Sequence, residues 1–383
     1  MIVRSRHAVR SAALVGCLLL AGNAAAGAAG GPEIKIAAIL SYSGPSAPLG
    51  LPQVNALKLA EKEINAHGGI DGRPVHFDIV DDGAKADVAQ QLATQMLGSG
   101  HVALICGTRT DTSAACARVS GASDVVQLYT TPTEGLWRSK SGQVTKNLFQ
   151  VNPRDQLEAQ ALLGFAKNHL HAKTIGILHD ENLYGTGGAA IAADEAKAMG
   201  MTVLDSEGYP GDGTDFTPQI TKLKDAKPDV VVLWGATTTP GLAIHQARAL
   251  GLTQPILGSS GIGSPAILKV AAPGTTDLYS ASPLAPPPGS PEQRDFASAY
   301  MAEYHTPINP FAAMAWDAAH ILAAGITEAH GNTSGPALEA ALQSGKPIPA
   351  VEGTYHFSAT DHNGLTAADV HVVMAHGDMW GAP

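Results

Sequence analysis

Two hydroxyls stand where a helix is expected to begin. After an apolar stretch ending at Cys106 the chain reads Gly107-Thr108-Arg109-Thr110-Asp111-Thr112-Ser113, and a helix expected over 113–121 sets Thr112 and Ser113 at its N-terminus. Free backbone N–H groups and the positive end of the helix dipole can hold a carboxylate there without a buried cation. The same hydroxyls serve equally as ordinary N-caps. Arg109 could pair with such a carboxylate, or stand as a surface loop arginine. Catalytic and cofactor signatures are missing: there is no His-Glu-x-x-His, no Cys-x-x-Cys, no phosphate-cradling Gly-x-x-x-x-Gly-Lys-Ser/Thr and no Gly-x-Gly-x-x-Gly after a strand. Gly258-Ser259-Ser260-Gly261 lacks the spacing of a nucleophile elbow. His169 and His171 form a lone pair at a helix end, which is a solvated or capping arrangement more readily than a metal site. No catalytic residue, metal or cofactor is therefore expected.

The elements that must position such a site alternate regularly. An apolar strand over 34–40, a Ser43-Gly44-Pro45 turn, a helix and a second strand ending in Asp81-Asp82 open the series. A helix over 87–97 and strands over 101–106 and 125–129 continue it. After a strand over 147–151 a second series begins, with helices over 156–170, 187–199, 215–225 and 241–250. They alternate with strands over 174–179, 202–206, 229–234 and 255–257. Two βα series at this spacing make two lobes, each a doubly wound, mainly parallel sheet, and ligands of such sheets bind beyond the carboxyl ends of the strands.

A proline-rich stretch over 283–291 is unsuited to helix or sheet interior. It reads as a surface loop or as a crossover between lobes. Helices over 292–304, 311–328 and 335–343 follow, then strands over 353–357 and 370–374, too few for a third domain. The helices are expected to complete the first lobe (33–151 and 283–350) and the final strands the second (152–282 and 351–383), giving three hinge crossings.

Arg4, Arg6 and Arg10, an apolar run from Ala12 to Ala21, and Ala24-Ala25-Ala26 have the pattern of a cleaved signal peptide over residues 1–26. Export to the periplasm is expected. Leu14-Val15-Gly16-Cys17 resembles a lipoprotein box, but Leu18-Leu19-Leu20 still follow Cys17, so soluble export is expected rather than anchoring. The chain carries a net charge of −10, which becomes −13 without the leader (21 basic against 34 acidic side chains). A polyanionic surface argues against nucleic acid as a partner. Cys106 and Cys116 alone follow the leader, ten residues apart; a disulfide and two buried thiols are both open.

Taken in order, several segments resemble one family. They are Ser43-Gly44-Pro45 with Gly50, Ile64-Asn65-Ala66-x-Gly68-Gly69-Ile70-x-Gly72, Asp81-Asp82, Thr131-Pro132-Thr133, His179-Asp180-x-x-x-Tyr184-Gly185 and Gln246-Ala247-Arg248-Ala249-Leu250-Gly251. The set is similar to the branched-chain amino-acid-binding proteins of ABC importers, periplasmic solute-binding proteins, over nearly the whole chain. That resemblance implies a type I periplasmic-binding-protein fold, monomeric, closing two lobes over a small carboxylate-bearing solute and delivering it to a membrane permease. It implies that Thr112 and Ser113, with the backbone around Thr133, hold the carboxylate. Asp155 matches the acid that takes the ligand's ammonium, its plainer role being a helix cap, and Tyr184 matches a cleft tyrosine.

The departures matter as much. After the strand ending at Leu257, where the family has a second acid for the ammonium, stands Ser259-Ser260-Gly261, and a neutral Ser260 cannot replace a carboxylate beside a buried ammonium. Leu49 and Ala236-Thr237 stand where relatives carry aromatics. Tyr42, Trp137 and Trp234 are candidates to shape a different pocket, Trp234 being best placed, with core packing the alternative for each. A branched-chain or other amino acid is the leading expectation. Aromatic or aliphatic carboxylates and amides, for uptake or for sensing by a signalling partner, are the alternative.

Overall fold

A computed structural model describes residues 31–383; the leader, its cleavage point near Ala26, and Cys17 lie outside the described residues. The first sheet is built from β1 (Ile34–Leu40), α1 (Ala47–Ala66), β2 (Val75–Asp81), α2 (Ala86–Leu97), β3 (Ala103–Cys106), α3 (Thr110–Ser120), β4 (Val126–Tyr129) and β5 (Leu148–Gln150). Its strands lie in the order β2-β1-β3-β4-β5, all parallel. The chain then crosses into α4 (Asp155–Asn168), β6 (Thr174–Asp180), α5 (Leu183–Ala198), β7 (Thr202–Tyr209), α6 (Thr217–Ala226), β8 (Val230–Trp234), α7 (Thr239–Ala249), β9 (Ile256–Gly258), α8 (Pro265–Ala271) and β10 (Leu278–Ser282). It returns through α9 (Pro291–Tyr304), α10 (Pro310–Glu328), α11 (Gly335–Leu342) and the short pair β11 (Ile348–Pro349) and β12 (Thr354–Tyr355). It ends in β13 (His371–His376) and β14 (Met379–Gly381). The second sheet runs β14-β13-β10-β9-β8-β6-β7, parallel except for the antiparallel β13 and β14 at one edge.

Burial follows from this topology. A parallel strand covered by helices on both faces needs a continuous apolar run, and Val230-Val231-Val232-Leu233-Trp234 in β8 is buried throughout. The edge strand β7 alternates exposed and half-buried residues instead. In the first lobe α1 and α10 pack on one face of the sheet, where Leu57, Ile64, Ile321 and Leu322 meet the β1 and β3 side chains. Pro at the first turn and a capping side chain start α9 and α10, with Ser290 accepting from Gln293 N–H and Asn309 from Ala312 N–H.

Three results differ from expectation or decide between its alternatives. Strand β12 pairs with β11 rather than joining the second sheet, and Tyr355, Phe357 and Leu365 pack in the first core. The stretch 351–365 thus stays with the first lobe, because its aromatics need the apolar floor that β5 and Phe149 provide. Helix α8 and strand β10 were not anticipated. The β10 segment Leu-Tyr-Ser-Ala-Ser carries two serines that the interior satisfies through backbone carbonyls, so its sequence has no apolar run. Cys106 and Cys116 form a disulfide from the end of β3 into α3.

Candidate functional site

The carboxyl ends of β3 and β4 make one wall of a cleft. Gly107 leaves β3 with φ of +113°, and a Cβ there would collide with Ser113 Oγ, so only glycine lets α3 start so close to the strand. The helix consequently begins at Thr110, three residues earlier than expected. Thr108 Oγ1 accepts from Ser41 N–H (3.0 Å) and donates to Gln53 Oε1 (2.6 Å). Gln53 Nε2 donates to Thr130 Oγ1 (2.9 Å), which in turn donates to Gly107 O. This closed circuit pins the β3 and β4 loops to α1.

Thr112 and Ser113 therefore face away from the role expected of them. With the helix begun at Thr110, Thr112 Oγ1 donates back to Arg109 O (3.1 Å) and Ser113 Oγ to Cys106 O (3.3 Å), both residues being fully buried. The residues that border the cleft are Thr108 through Asp111 and Thr130 through Pro132. Thr133 lies just beyond, its carbonyl accepting from Tyr129 OH (3.1 Å). Arg109 reaches the cleft but is engaged by Asp111 through two 3.1 Å hydrogen bonds.

The facing wall comes from the second lobe. Asn182 caps α5 by accepting from Gly185 N–H (2.9 Å), and this sets Tyr184 on the cleft face. Gly261 makes room for it, since a Cβ there would lie 3.0 Å from the Tyr184 ring and 2.3 Å from Gly235 O. Ser260 also borders the cleft, giving its N–H to Glu158 Oε2 (2.9 Å) and its O–H to Glu158 Oε1 (2.5 Å). Asn152, in the first crossing, with φ of +147°, closes one end, and Phe311 and Met314 of α10 supply apolar surface.

Asp155 begins α4, 3% exposed, its N–H donating to Pro132 O (3.0 Å). Its Oδ1 has no hydrogen-bond partner, and neither has the indole N–H of the buried Trp234. The indole stands close enough to draw down the Asp155 pKa, yet outside hydrogen-bond geometry, so the carboxylate is not satisfied by it. Burial pushes Asp155 well above the carboxylate range, and the charge of Glu158 adds to this. Burial likewise pushes Glu158 up to about 7 against the pull of its two Ser260 hydrogen bonds. Asp180 is pushed up to about 6 by burial; the Ala236 N–H and, from the opposite wall, Arg109 act the other way.

Of the residues picked out from sequence, the structure brings Tyr184 and Ser260 to the cleft, with Asp155 and Trp234 directly behind it. Trp234 is pressed onto α5 at Gly188, where a Cβ would overlap the indole. Trp137 is buried with its N–H on Gln150 (3.1 Å), and Tyr42 packs on the first core. Glu158, Asn152, Phe311 and Met314 were missed. Only Glu158 had a visible signal, its i+3 spacing from Asp155 on one helix face. Among the described residues no group of three or more His, Cys, Asp or Glu gathers as a metal site would require.

Leu49, Phe311 and Met314 of the first lobe pack into a core cluster of the second, and Ser264 Oγ donates to Pro48 O (3.4 Å). The lobes are thus in contact. The cavity between them is about 40 Å³. Two lobes joined by three crossings, with a small cavity of mixed polar and apolar lining between strand carboxyl ends, define a solute-binding clamp.

The chain belongs to the periplasmic binding protein family, whose model matches residues 33–377. Its curated relatives include Leu/Ile/Val-binding proteins. It is 27% identical over 334 residues to Leu/Ile/Val-binding protein homolog 3 of Brucella melitensis, covering 86% of this chain and 88% of that one. Its fold superposes on the branched-chain amino acid transporter substrate binding protein LivJ from Streptococcus pneumoniae, solved with isoleucine, with a TM-score of 0.82 at 24% identity (91% of this chain, 98% of that chain). A solute binding protein of an ABC transporter from R. palustris, solved with benzoate, superposes with a TM-score of 0.81 at 20% identity (91% and 94%). The family consists of solute-binding proteins, which are not enzymes, and no helix among the described residues is long and apolar enough to cross a membrane.

Proposed function

We propose that the protein captures an α-amino acid with a small apolar side chain outside the cytoplasm and presents it to an ABC permease. The observation that carries this reading is the buried Asp155 carboxylate, whose Oδ1 has no partner in the protein. A buried carboxylate demands an opposite charge or several donors, and a ligand ammonium supplies both. The first wall complements it with the N-terminus of α3 at Thr110 and Asp111 and with the unpaired hydroxyl of Thr131, donors suited to a ligand carboxylate. Phe311, Met314 and Tyr184 surround the body. The crossings act as a hinge, and closure is stabilised only by a solute that touches both walls. The protein acts as a monomer after removal of its leader near Ala26, without a lipid at Cys17.

A thermal-shift screen over valine, leucine, isoleucine, their 2-oxo acids and benzoate tests the reading. A ligand at 100 times its Kd adds about 2.7 kcal/mol of stability. The amino acids are expected to raise the Tm and the others not. A rise with benzoate alone would replace the amino acid with an aromatic carboxylate, the reading favoured by the neutral Ser260.

A further inference from the structure

We propose that Glu158 is a positioning residue that reads the ligand's ammonium through Ser260, by holding the Ser260 hydroxyl as an acceptor toward the cleft. The inference rests on the amino-acid reading above and goes one step deeper into the same site.

Glu158 sits one turn along α4 from Asp155 and is 1% exposed, so it does not itself border the cleft. Both of its oxygens are committed to one residue from another element, Oε2 to Ser260 N–H and Oε1 to Ser260 O–H. A hydroxyl has one proton and two lone pairs. While Glu158 is ionised it holds that proton, and Ser260 can offer the cleft only lone pairs. Asn152 Oδ1, beside the cleft and buried without a partner, is an acceptor too, and so is Asp155 Oδ1 behind it once ionised. This end of the cleft thus gathers acceptors, Ser260 Oγ and Asn152 Oδ1 at its border and the ionised Asp155 behind them, suited to the N–H donors of a primary ammonium. A ligand that brought a carbonyl or carboxylate oxygen to this end would face lone pairs on every side. Ser260 is neutral, yet the carboxylate behind it gives the subsite the polarity that a second acid would.

The arrangement also accounts for two acids on one turn of a buried helix. Burial and mutual repulsion disfavour ionising both Asp155 and Glu158, and a bound ammonium offsets that repulsion. Glu158 thereby contributes to selectivity without touching the ligand.

Glu158→Gln separates this role from a structural one. A glutamine can still accept from Ser260 N–H through its oxygen, but its NH2 donates to Ser260 Oγ, and the Ser260 proton is then free to point into the cleft. Calorimetric Kd values would be measured for isoleucine and for 3-methyl-2-oxopentanoate, on wild type and variant. The expected result is at least a 10-fold weakening for isoleucine with unchanged or tighter binding of the 2-oxo acid. Equal weakening of both ligands, or no change in either, would overturn the proposal. Ser260→Ala, which leaves the fold's backbone contacts in place, is expected to lower the same isoleucine preference and serves if the glutamine variant does not fold. If wild type binds no amino acid, the parent reading fails along with the inference; if it binds isoleucine but the variants keep its preference, the inference alone fails.

Discussion

The two walls of the cleft are built on opposite plans. In the first, Thr108, Gln53 and Thr130 satisfy one another in a closed circuit, and Thr112 and Ser113 are spent on backbone carbonyls. In the second wall and the crossing beside it, Asp155, Asp180, Tyr184 and Asn152 each keep a buried polar atom without a partner. Satisfied groups have little to gain from a ligand, whereas each unpaired buried group carries a desolvation cost that a ligand can relieve. The first wall is mainly a scaffold, offering backbone donors and the one unpaired hydroxyl of Thr131, whereas the second wall and its crossing hold most of the unsatisfied groups around the cleft.

Substitutions should divide along that line. Asp155→Ala is expected to weaken isoleucine binding by about 100-fold or more, the scale of losing one side of a buried charge pair, read by calorimetry. An effect below threefold would move the ammonium site elsewhere. Tyr184→Phe removes one polar contact and should cost about 10-fold. Thr112→Val and Ser113→Ala should leave Kd within about threefold while lowering Tm, since each breaks a hydrogen bond worth about 1 kcal/mol to the scaffold. A large loss of affinity from either would reverse the contrast between the walls.

Titration sharpens the same contrast. Glu158 (about 7) and Asp180 (about 6) lie above their ordinary values, and the buried Asp317 and Glu352 are also raised. The folded state holds these protons more tightly than the unfolded chain does, so their stabilisation is complete near pH 4 and is lost as pH rises toward 7. Acids with lowered values, such as Asp78 and Asp229, titrate below that window. The Tm of the ligand-free protein should therefore fall by about 5 °C or more between pH 4.5 and 7.5. Saturating isoleucine should reduce the fall by neutralising the Asp155–Glu158 end.

Much of this was legible in the sequence. The run at 34–40 and the buried strands such as β8 announced themselves through apolar residues, whereas β10 did not; Tyr184 and Asp155 were singled out by the family resemblance. The start of α3 was misjudged because Gly107 permits a turn that hydroxyl counting cannot see, and three residues there were enough to carry Thr112 off the cleft. Trp234 at a strand end was read either as facing the ligand or as core packing; its indole fills the space that Gly188 leaves on α5. Phe311 and Met314 were illegible as site residues, because only the return crossing brings a first-lobe helix against the second lobe. Ser260 was read correctly as neutral, but its partner Glu158 lies 102 residues away, beyond any local pattern.

The central claim is that the second wall and its hinge recognise an ammonium. It is tested most directly by the ratio of Kd values of wild-type protein for 3-methyl-2-oxopentanoate and isoleucine, two ligands that differ at that group alone. The account predicts isoleucine tighter by about 100-fold or more; equal binding, or preference for the 2-oxo acid, would contradict it.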